Sequence, residues 1–139
     1  MRWINALLVF AIFLSTALAA ICPPSLHVKC KCSVDPESRV VVVCANVSAS
    51  LVFASLQNDS IHSLLMTECA IPSLDSPLPL RDLETLEMTN CSIENISPDV
   101  LAPVKDTVKT VLLGGNRLTV VPPFRDLPKL TSLNLNSNR

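Results

Sequence analysis

One spacing of apolar residues recurs four times between residues 61 and 139, and it constrains the fold more than any other feature of the sequence. The copies begin at residues 61, 83, 108 and 130, which are 22, 25 and 22 residues apart. Each unit has one apolar side and cannot bury it alone, so neighbouring units must stack and share a core. Positions 1, 4, 6 and 9 of the four copies are Ile61, Leu64, Met66, Cys69; Leu83, Leu86, Met88, Cys91; Val108, Val111, Leu113, Asn116; and Leu130, Leu133, Leu135, Asn138.

Positions 4 and 6 lie two residues apart, so on a β-strand both side chains point to the same side, which we expect to be the core. Positions 3, 5 and 7 then point outward and are small, mostly neutral and mildly apolar, which suits a protein surface better than a charged ligand. Ser and Thr are also ordinary sheet formers, so a purely structural role stays open. The outward candidates for binding are Ser63, Leu65, Thr67, Thr85, Glu87, Thr89, Thr110, Leu112, Ser132 and Asn134.

Position 9 of each unit should lie where the chain turns after the strand. Asn116 and Asn138 can satisfy backbone groups at such a turn with both a donor and an acceptor, whereas a thiol does so only weakly. For Cys69 and Cys91 we predict buried free thiols that act as small apolar residues, because their side chains should run parallel into the core. A third disulfide is the alternative, since equivalent positions on adjacent strands lie about 5 Å apart.

The spacing L-x-x-L-x-L-x-x-N/C-x-L resembles the signature of the leucine-rich repeat family, and the resemblance covers residues 61–139. It implies repeats at 61–82, 83–107 and 108–129 and an incomplete repeat at 130–139. The fold class it implies is an α/β-type leucine-rich repeat solenoid. Such a fold has a short curved parallel β-sheet on its concave face and irregular or 3-10 connections on its outer side.

Four cysteines lie close together before the repeats: Cys22, Cys30, Cys32 and Cys44. In a secreted chain such an even cluster is a disulfide framework, and four cysteines allow three connectivities. A zinc site that includes His27 is the alternative. The pattern resembles the N-terminal cysteine cap of extracellular leucine-rich repeat proteins. That resemblance assigns residues 20–60 to the cap and its connection, and it implies pairing of Cys22 with Cys32 and of Cys30 with Cys44.

The β-branched run from Arg39 to Cys44 predicts the strand of the cap. The following segment, residues 45–60, lacks the Leu-x-x-Ile-Pro sequence that usually leads from the cap into the first repeat. Its apolar residues Leu51, Val52, Phe53 and Leu56 favour a short helical turn instead.

The N-terminus has the organisation of a secretory signal peptide over residues 1–19. Arg2 is followed by an apolar stretch from Ala6 to Leu14, and Ala17-Leu18-Ala19 is a small-x-small cleavage site, with cleavage after Ala20 as a near variant. A membrane anchor is the alternative, but Ser15 and Thr16 interrupt the apolar stretch, and an anchor needs about 18 residues or more. We therefore expect an extracellular, secreted chain without a membrane span.

Four Asn-x-Ser sequences could accept N-linked glycans, at Asn46, Asn58, Asn90 and Asn95. Asn46 and Asn58 lie in the expected loop after the cap, and Asn95 lies on a connection between strands. Asn90 directly precedes the turn at Cys91, where a glycan would meet steric hindrance.

The sequence carries no constellation for catalysis, no paired histidines for a metal and no glycine-rich phosphate loop, so we predict neither an enzyme nor a bound cofactor. A net charge of −1 gives no electrostatic footprint for nucleic acid. The resemblance implies an extracellular protein-binding module, the N-terminal part of a secreted or cell-surface adhesion or receptor-type protein, whose missing part could supply the anchor. The alternatives are a structural extracellular-matrix component and a truncated gene model that lacks its C-terminal part, since the chain stops inside the fourth repeat at Asn138-Arg139.

Overall fold

The computed structural model describes Cys22, Leu26, residues 30–124 and residues 126–139. The predicted signal peptide, residues 1–19, lies outside the described residues, as does His27. In chain order the elements are β1 (Cys30–Val34), β2 (Val40–Ala45), α1 (Ala49–Ser55), β3 (Asp59–Ser60), β4 (Ser63–Thr67), β5 (Ser73–Leu74), β6 (Leu80–Arg81), β7 (Thr85–Thr89), β8 (Asn95–Ile96), a 3-10 helix (Ala102–Val104), β9 (Thr110–Leu112) and β10 (Ser132–Asn134).

The principal sheet has six strands in the order β1-β2-β4-β7-β9-β10. β1 and β2 form an antiparallel pair, and every later pair in this sheet is parallel. Two small parallel sheets join β3 to β6 and β5 to β8 on the connections between the principal strands. A mostly parallel sheet with few helices and with disulfides at its N-terminal end is compatible with a leucine-rich repeat fold.

Equivalent positions of successive repeats lie opposite each other in this sheet. Leu64 is paired with Leu86 and Met66 with Met88, and Leu86 is paired with Val111. The side chains at positions 4 and 6 of the first three repeats are at most 2 % exposed, as predicted, whereas Leu133 of the fourth is 42 % exposed. The shared core therefore extends through the third repeat and opens at the fourth.

The strand of the cap, β2, has the same register as the repeats. Val42 is paired with Leu64 and Cys44 with Met66, and both β2 residues are fully buried. The predicted cap strand is confirmed, and β2 provides inward-pointing residues in the manner of a repeat. The predicted helical turn is also confirmed, because α1 contains the apolar residues at 51–53, of which Val52 is buried.

A residue with positive φ follows each strand at position 8 of the unit. After β2 and in the first three repeats, the backbone N–H of this residue continues the ladder beyond the strand by donating to the position-7 carbonyl of the next unit, at N···O distances of 2.9 to 3.1 Å. The left-handed backbone rotates the chain so that position 9 can turn inward. These residues and their φ angles are Asn46 (52°), Glu68 (54°), Asn90 (55°), Gly115 (69°) and Ser137 (58°).

Asn116, at position 9 of the third repeat, satisfies the backbone of two neighbouring turns. Its Oδ1 accepts the N–H groups of Cys91 at 3.0 Å and Ile93 at 3.2 Å. Its Nδ2 donates to the carbonyls of Met88 at 2.7 Å and Leu113 at 2.9 Å. The side chain is buried, so these bonds replace the water that the turn excludes.

Asn138 repeats part of this arrangement one unit later. Its Oδ1 accepts the N–H of Leu118 at 3.0 Å, and its Nδ2 donates to the carbonyls of Leu113 at 3.0 Å and Leu135 at 2.8 Å. The amide thus joins the third repeat to the fourth, as the position-9 pattern predicts.

Replacement of Asn116 by Ala should lower the free energy of unfolding by about 3 kcal/mol, because buried backbone donors and acceptors in two turns lose their partner. Urea unfolding followed by circular dichroism measures this change. Asn136→Ala is the matched control, since the Asn136 side chain is exposed and has no hydrogen bond with any described residue. A loss of similar size in the control would contradict the assignment.

Candidate functional site

The side of the principal sheet that points away from the core is called the open face. It consists of positions 3, 5 and 7 of the repeats, which are half-buried on β4 and β7 and alternate there with fully buried neighbours. All the outward candidates from the sequence lie here, and on β10 they become exposed. Their role in binding stays a prediction. These candidates are Ser63, Leu65, Thr67, Thr85, Glu87, Thr89, Thr110, Leu112, Ser132 and Asn134.

The open face continues onto the cap, where the sequence did not lead us to expect it. Val41 is paired with Ser63 and Val43 with Leu65, so both valines extend the outward positions of the first repeat. Val43 is 41 % exposed. The signal that could have identified them is the spacing of Val42 and Cys44, which matches positions 4 and 6 of a repeat.

Position 5 forms one continuous row across the open face. Its members, in strand order, are Val43, Leu65, Glu87, Leu112 and Asn134. The row is apolar except at Glu87 and at its last member. On the described strands of the repeats, Glu87 is the one charged side chain of the open face.

A network of ion pairs lies where the parallel strands β2, β7 and β9 begin, and it joins the cap to the second and third repeats. Glu84 Oε2 lies 3.1 Å from Arg39 Nη1 and 3.0 Å from Lys109 Nζ. Arg39 also binds Asp35 through its Nε at 2.8 Å. The hydrogen bond from Lys109 holds the pKa of Glu84 below its ordinary value, and the charges of Lys109 and Arg39 act in the same direction.

A pH-dependent contribution to stability follows from this lowered pKa. The ionised carboxylate of Glu84 stabilises the fold above its ordinary pKa of 4.5, and that stabilisation is lost as the pH falls through the lower folded value. Glu84→Gln should therefore lower the free energy of unfolding by about 0.5 to 1 kcal/mol at pH 7, with the deficit shrinking below about pH 4.5. Urea unfolding at several pH values measures the difference.

Glu94→Gln is a suitable control for this experiment, because it removes an exposed carboxylate that has a single cationic partner, Arg117, at 3.5 Å. We expect a smaller deficit from this change. A Glu84→Gln deficit that persists unchanged in acid would show that the carboxylate charge does not matter.

Two disulfides lie in the cap, between Cys22 and Cys32 and between Cys30 and Cys44. This is the pairing that the family resemblance implies. The second bond joins β1 to β2 at residues that face each other in the antiparallel pair. Both therefore tie the N-terminal end of the sheet, where the core would otherwise open to water.

The prediction of free thiols at Cys69 and Cys91 is wrong, because the structure joins these residues in a disulfide. Both side chains are fully buried, and their Cα atoms lie 4.3 Å apart. The left-handed residues directly before them, Glu68 and Asn90, turn both side chains inward at the same height. Side chains that run parallel into the core at this separation are within reach of a bond, so the alternative of a third disulfide is the correct one.

The chain, purified from an oxidising compartment, should carry no free thiol. Unfolding in urea with iodoacetamide but without reductant should add no mass, and prior reduction should add one adduct for each of six cysteines. Two adducts without reduction would contradict the bond between Cys69 and Cys91.

The double variant Cys69→Ala/Cys91→Ala should lose about 3 kcal/mol of unfolding free energy, as for a disulfide that closes a loop of this length.

The four sequons all have an exposed asparagine. Asn46 and Asn90 occupy position 8 at the end of β2 and β7, whereas Asn58 and Asn95 lie on the connections. Asn90 packs against Gly115, where an added Cβ would lie 2.1 Å from Asn90 Oδ1. A larger residue at position 115 would therefore require the Asn90 side chain to move. Occupancy of the four sites stays a prediction.

The described residues contain no group of three or more His, Cys, Asp or Glu side chains that could hold a metal ion. His62 is half-buried, and its Nδ1 accepts the N–H of Val40 at 3.2 Å. A surface depression of about 440 Å³ lies beside the 3-10 helix, between Lys105 and Phe124, and no histidine, cysteine or serine lines it. In the part of the chain that the structure describes, no helix has the length and apolarity to cross a membrane.

The comparison with known proteins supports the interpretation of the repeats. No family model matches the chain. The chain is 30 % identical over 142 aligned residues to the leucine-rich repeat-containing protein egg-6 of Caenorhabditis elegans. The resemblance to leucine-rich repeat proteins is confirmed. The alignment takes in 100 % of this chain and 14 % of the relative, so the chain spans about one seventh of that protein's length.

The similarity is to a protein described as leucine-rich repeat-containing, which agrees with the repeats and the N-terminal disulfides of this structure. The open face and the N-terminal disulfides are the features that this resemblance makes most relevant to function.

Proposed function

We propose that the chain is an extracellular protein-binding leucine-rich repeat module, the N-terminal part of a secreted or cell-surface protein of the adhesion or receptor type. The observation that carries the proposal is the open face, where in-register side chains of five parallel strands point away from the core. A broad, mostly neutral surface suits a protein partner better than a small ligand. The finer architecture that goes with this proposal is a short curved solenoid with the open face on its concave side.

Three disulfides support the extracellular part of the proposal, because such bonds persist in oxidising compartments. Residues 1–19 are proposed as the signal peptide and residues 20–60 as the cap with its connection. Repeats are proposed at 61–82, 83–107, 108–129 and 130–139. The sequons at exposed asparagines are the proposed sites of glycans.

A longer protein is supported by the last strand. Leu133 of β10 is 42 % exposed although its equivalents in the first three repeats are buried, and Val120 and Val121 nearby are 76 % and 68 % exposed. A further apolar unit packed against β10 would cover these side chains. The much greater length of the relative is consistent with this arrangement.

The proposal predicts that binding depends on the apolar centre of the open face. The experiment uses the chain secreted by a eukaryotic host, immobilised and exposed to cell-surface and matrix extracts, with bound proteins quantified by mass spectrometry. Leu65→Asp/Leu112→Asp should reduce partner binding about 30-fold or more, because two central apolar contacts are replaced by charges. Leu51→Asp is the matched control, since Leu51 is 63 % exposed on α1, outside the open face.

Failure of the wild-type chain to retain any protein, or equal loss in the control, would contradict the proposal. The mass of the same preparation tests its extracellular part, with an expected start at Ala20 or Ile21 and a decrease on deglycosylation. Resistance of the chain to extraction from the matrix would instead favour a structural matrix component.

A further inference from the structure

Glu87 lies in the middle of the row at position 5 of the open face. Leu65 is paired with it on one side and Leu112 on the other, in the register of the parallel strands. Neighbouring strands lie about 4.8 Å apart, so the carboxylate stands between two leucine side chains on one surface. A partner that packs on both leucines must therefore also cover Glu87.

The carboxylate of Glu87 forms no ion pair with any described residue of the chain. Among the described residues, its side chain has one hydrogen bond, from Thr89 Oγ1 to Oε1 at 3.4 Å. The cations Arg39 and Lys109, which directly precede β2 and β9, bind Glu84 instead. Lys31 on β1 is separated from Glu87 by three strand spacings, about 14 Å, which is too far for contact.

Covering an ionised carboxylate with apolar surface is unfavourable unless a cation comes with the partner. Arginine meets the requirements of this row best. Its planar guanidinium can bind both carboxylate oxygens, and its aliphatic stem can pack along a leucine side chain. The charge of Glu87 and the apolar character of its two neighbours are then satisfied by a single side chain.

We propose that the open face recognises a protein segment in which a basic side chain, preferably arginine, lies between apolar residues and binds Glu87 between Leu65 and Leu112. This specificity rests on the proposed protein-binding function of the open face. A neutral or acidic residue at the same place would leave the Glu87 carboxylate covered and unpaired. The arrangement thus selects among apolar partners by charge.

The test uses a phage-displayed library of random linear peptides, selected on the immobilised wild-type chain. The selected peptides should carry Arg or Lys with apolar neighbours. Synthetic versions in which a selected arginine is replaced by citrulline, which keeps the shape of arginine and removes its charge, should bind the wild-type chain at least tenfold more weakly. The same replacement should change binding to Glu87→Gln less than twofold, since the charge that it meets is gone.

Two further variants sharpen the assignment. Selection on Glu87→Lys should favour acidic peptides, because the charge at the centre of the row is reversed. Glu94→Gln is the matched control, since Glu94 is an exposed carboxylate on the connection just before β8 and should leave peptide selection unchanged. Thermal unfolding of each variant verifies that the fold is retained.

The outcomes separate the specificity from the function on which it rests. Peptides that lose binding on Leu65→Asp but show no preference for a basic residue would overturn the role of Glu87 and leave protein binding by the open face intact. Selected peptides whose binding is insensitive to Leu65→Asp and Leu112→Asp would overturn both.

Discussion

The turn after each strand is the constraint on which the rest of the structure depends. The chain must bend at position 8 and bury its backbone at position 9, and buried N–H and carbonyl groups need partners. In the later units the amides of Asn116 and Asn138 supply those partners by reaching across to the neighbouring turn. Between the first two repeats a covalent bond, Cys69–Cys91, holds equivalent positions together instead. Both solutions connect one unit to the next, so each turn is stable only in the presence of its neighbour.

Stacking in register has a direct consequence for the surface. When equivalent residues of successive units are paired, every inward column is matched by an outward column on the opposite side of the sheet. The buried columns through Leu64 and Met66 form the core, and the open face follows from the same pairing. The surface proposed to bind a partner is therefore carried by paired strands whose inward side chains are buried, and such preorganisation lowers the entropic cost of binding.

Charge is distributed unequally over this framework. Directly before β7, Glu84 has two cationic partners that join the cap to the repeats, and this pairing is internal to the chain. On the open face Glu87 has none among the described residues, although only three positions separate the two carboxylates. The difference comes from strand geometry. Position 2 directly precedes the start of the strand, beside cations of other units, whereas position 5 lies in the middle of the strand between leucines. One carboxylate stabilises the fold, and the other is available to a partner.

The sequence by itself determined the principal strands of the repeats, their parallel stacking and the division into inward and outward positions, because a recurring spacing places equivalent residues of neighbouring units opposite each other whatever their identity. It also determined the role of Asn116, since an amide is a strong donor and a strong acceptor, whereas a thiol at the same position is only a weak one. Only the tertiary structure decided the Cys69–Cys91 bond, the repeat-like register of β2 and the partners of Glu84. These features depend on distances between side chains of different units, and those distances follow from the inward rotation at the left-handed turns and the packing of the cap. Sequence spacing specifies which residues are neighbours but not how closely their side chains approach.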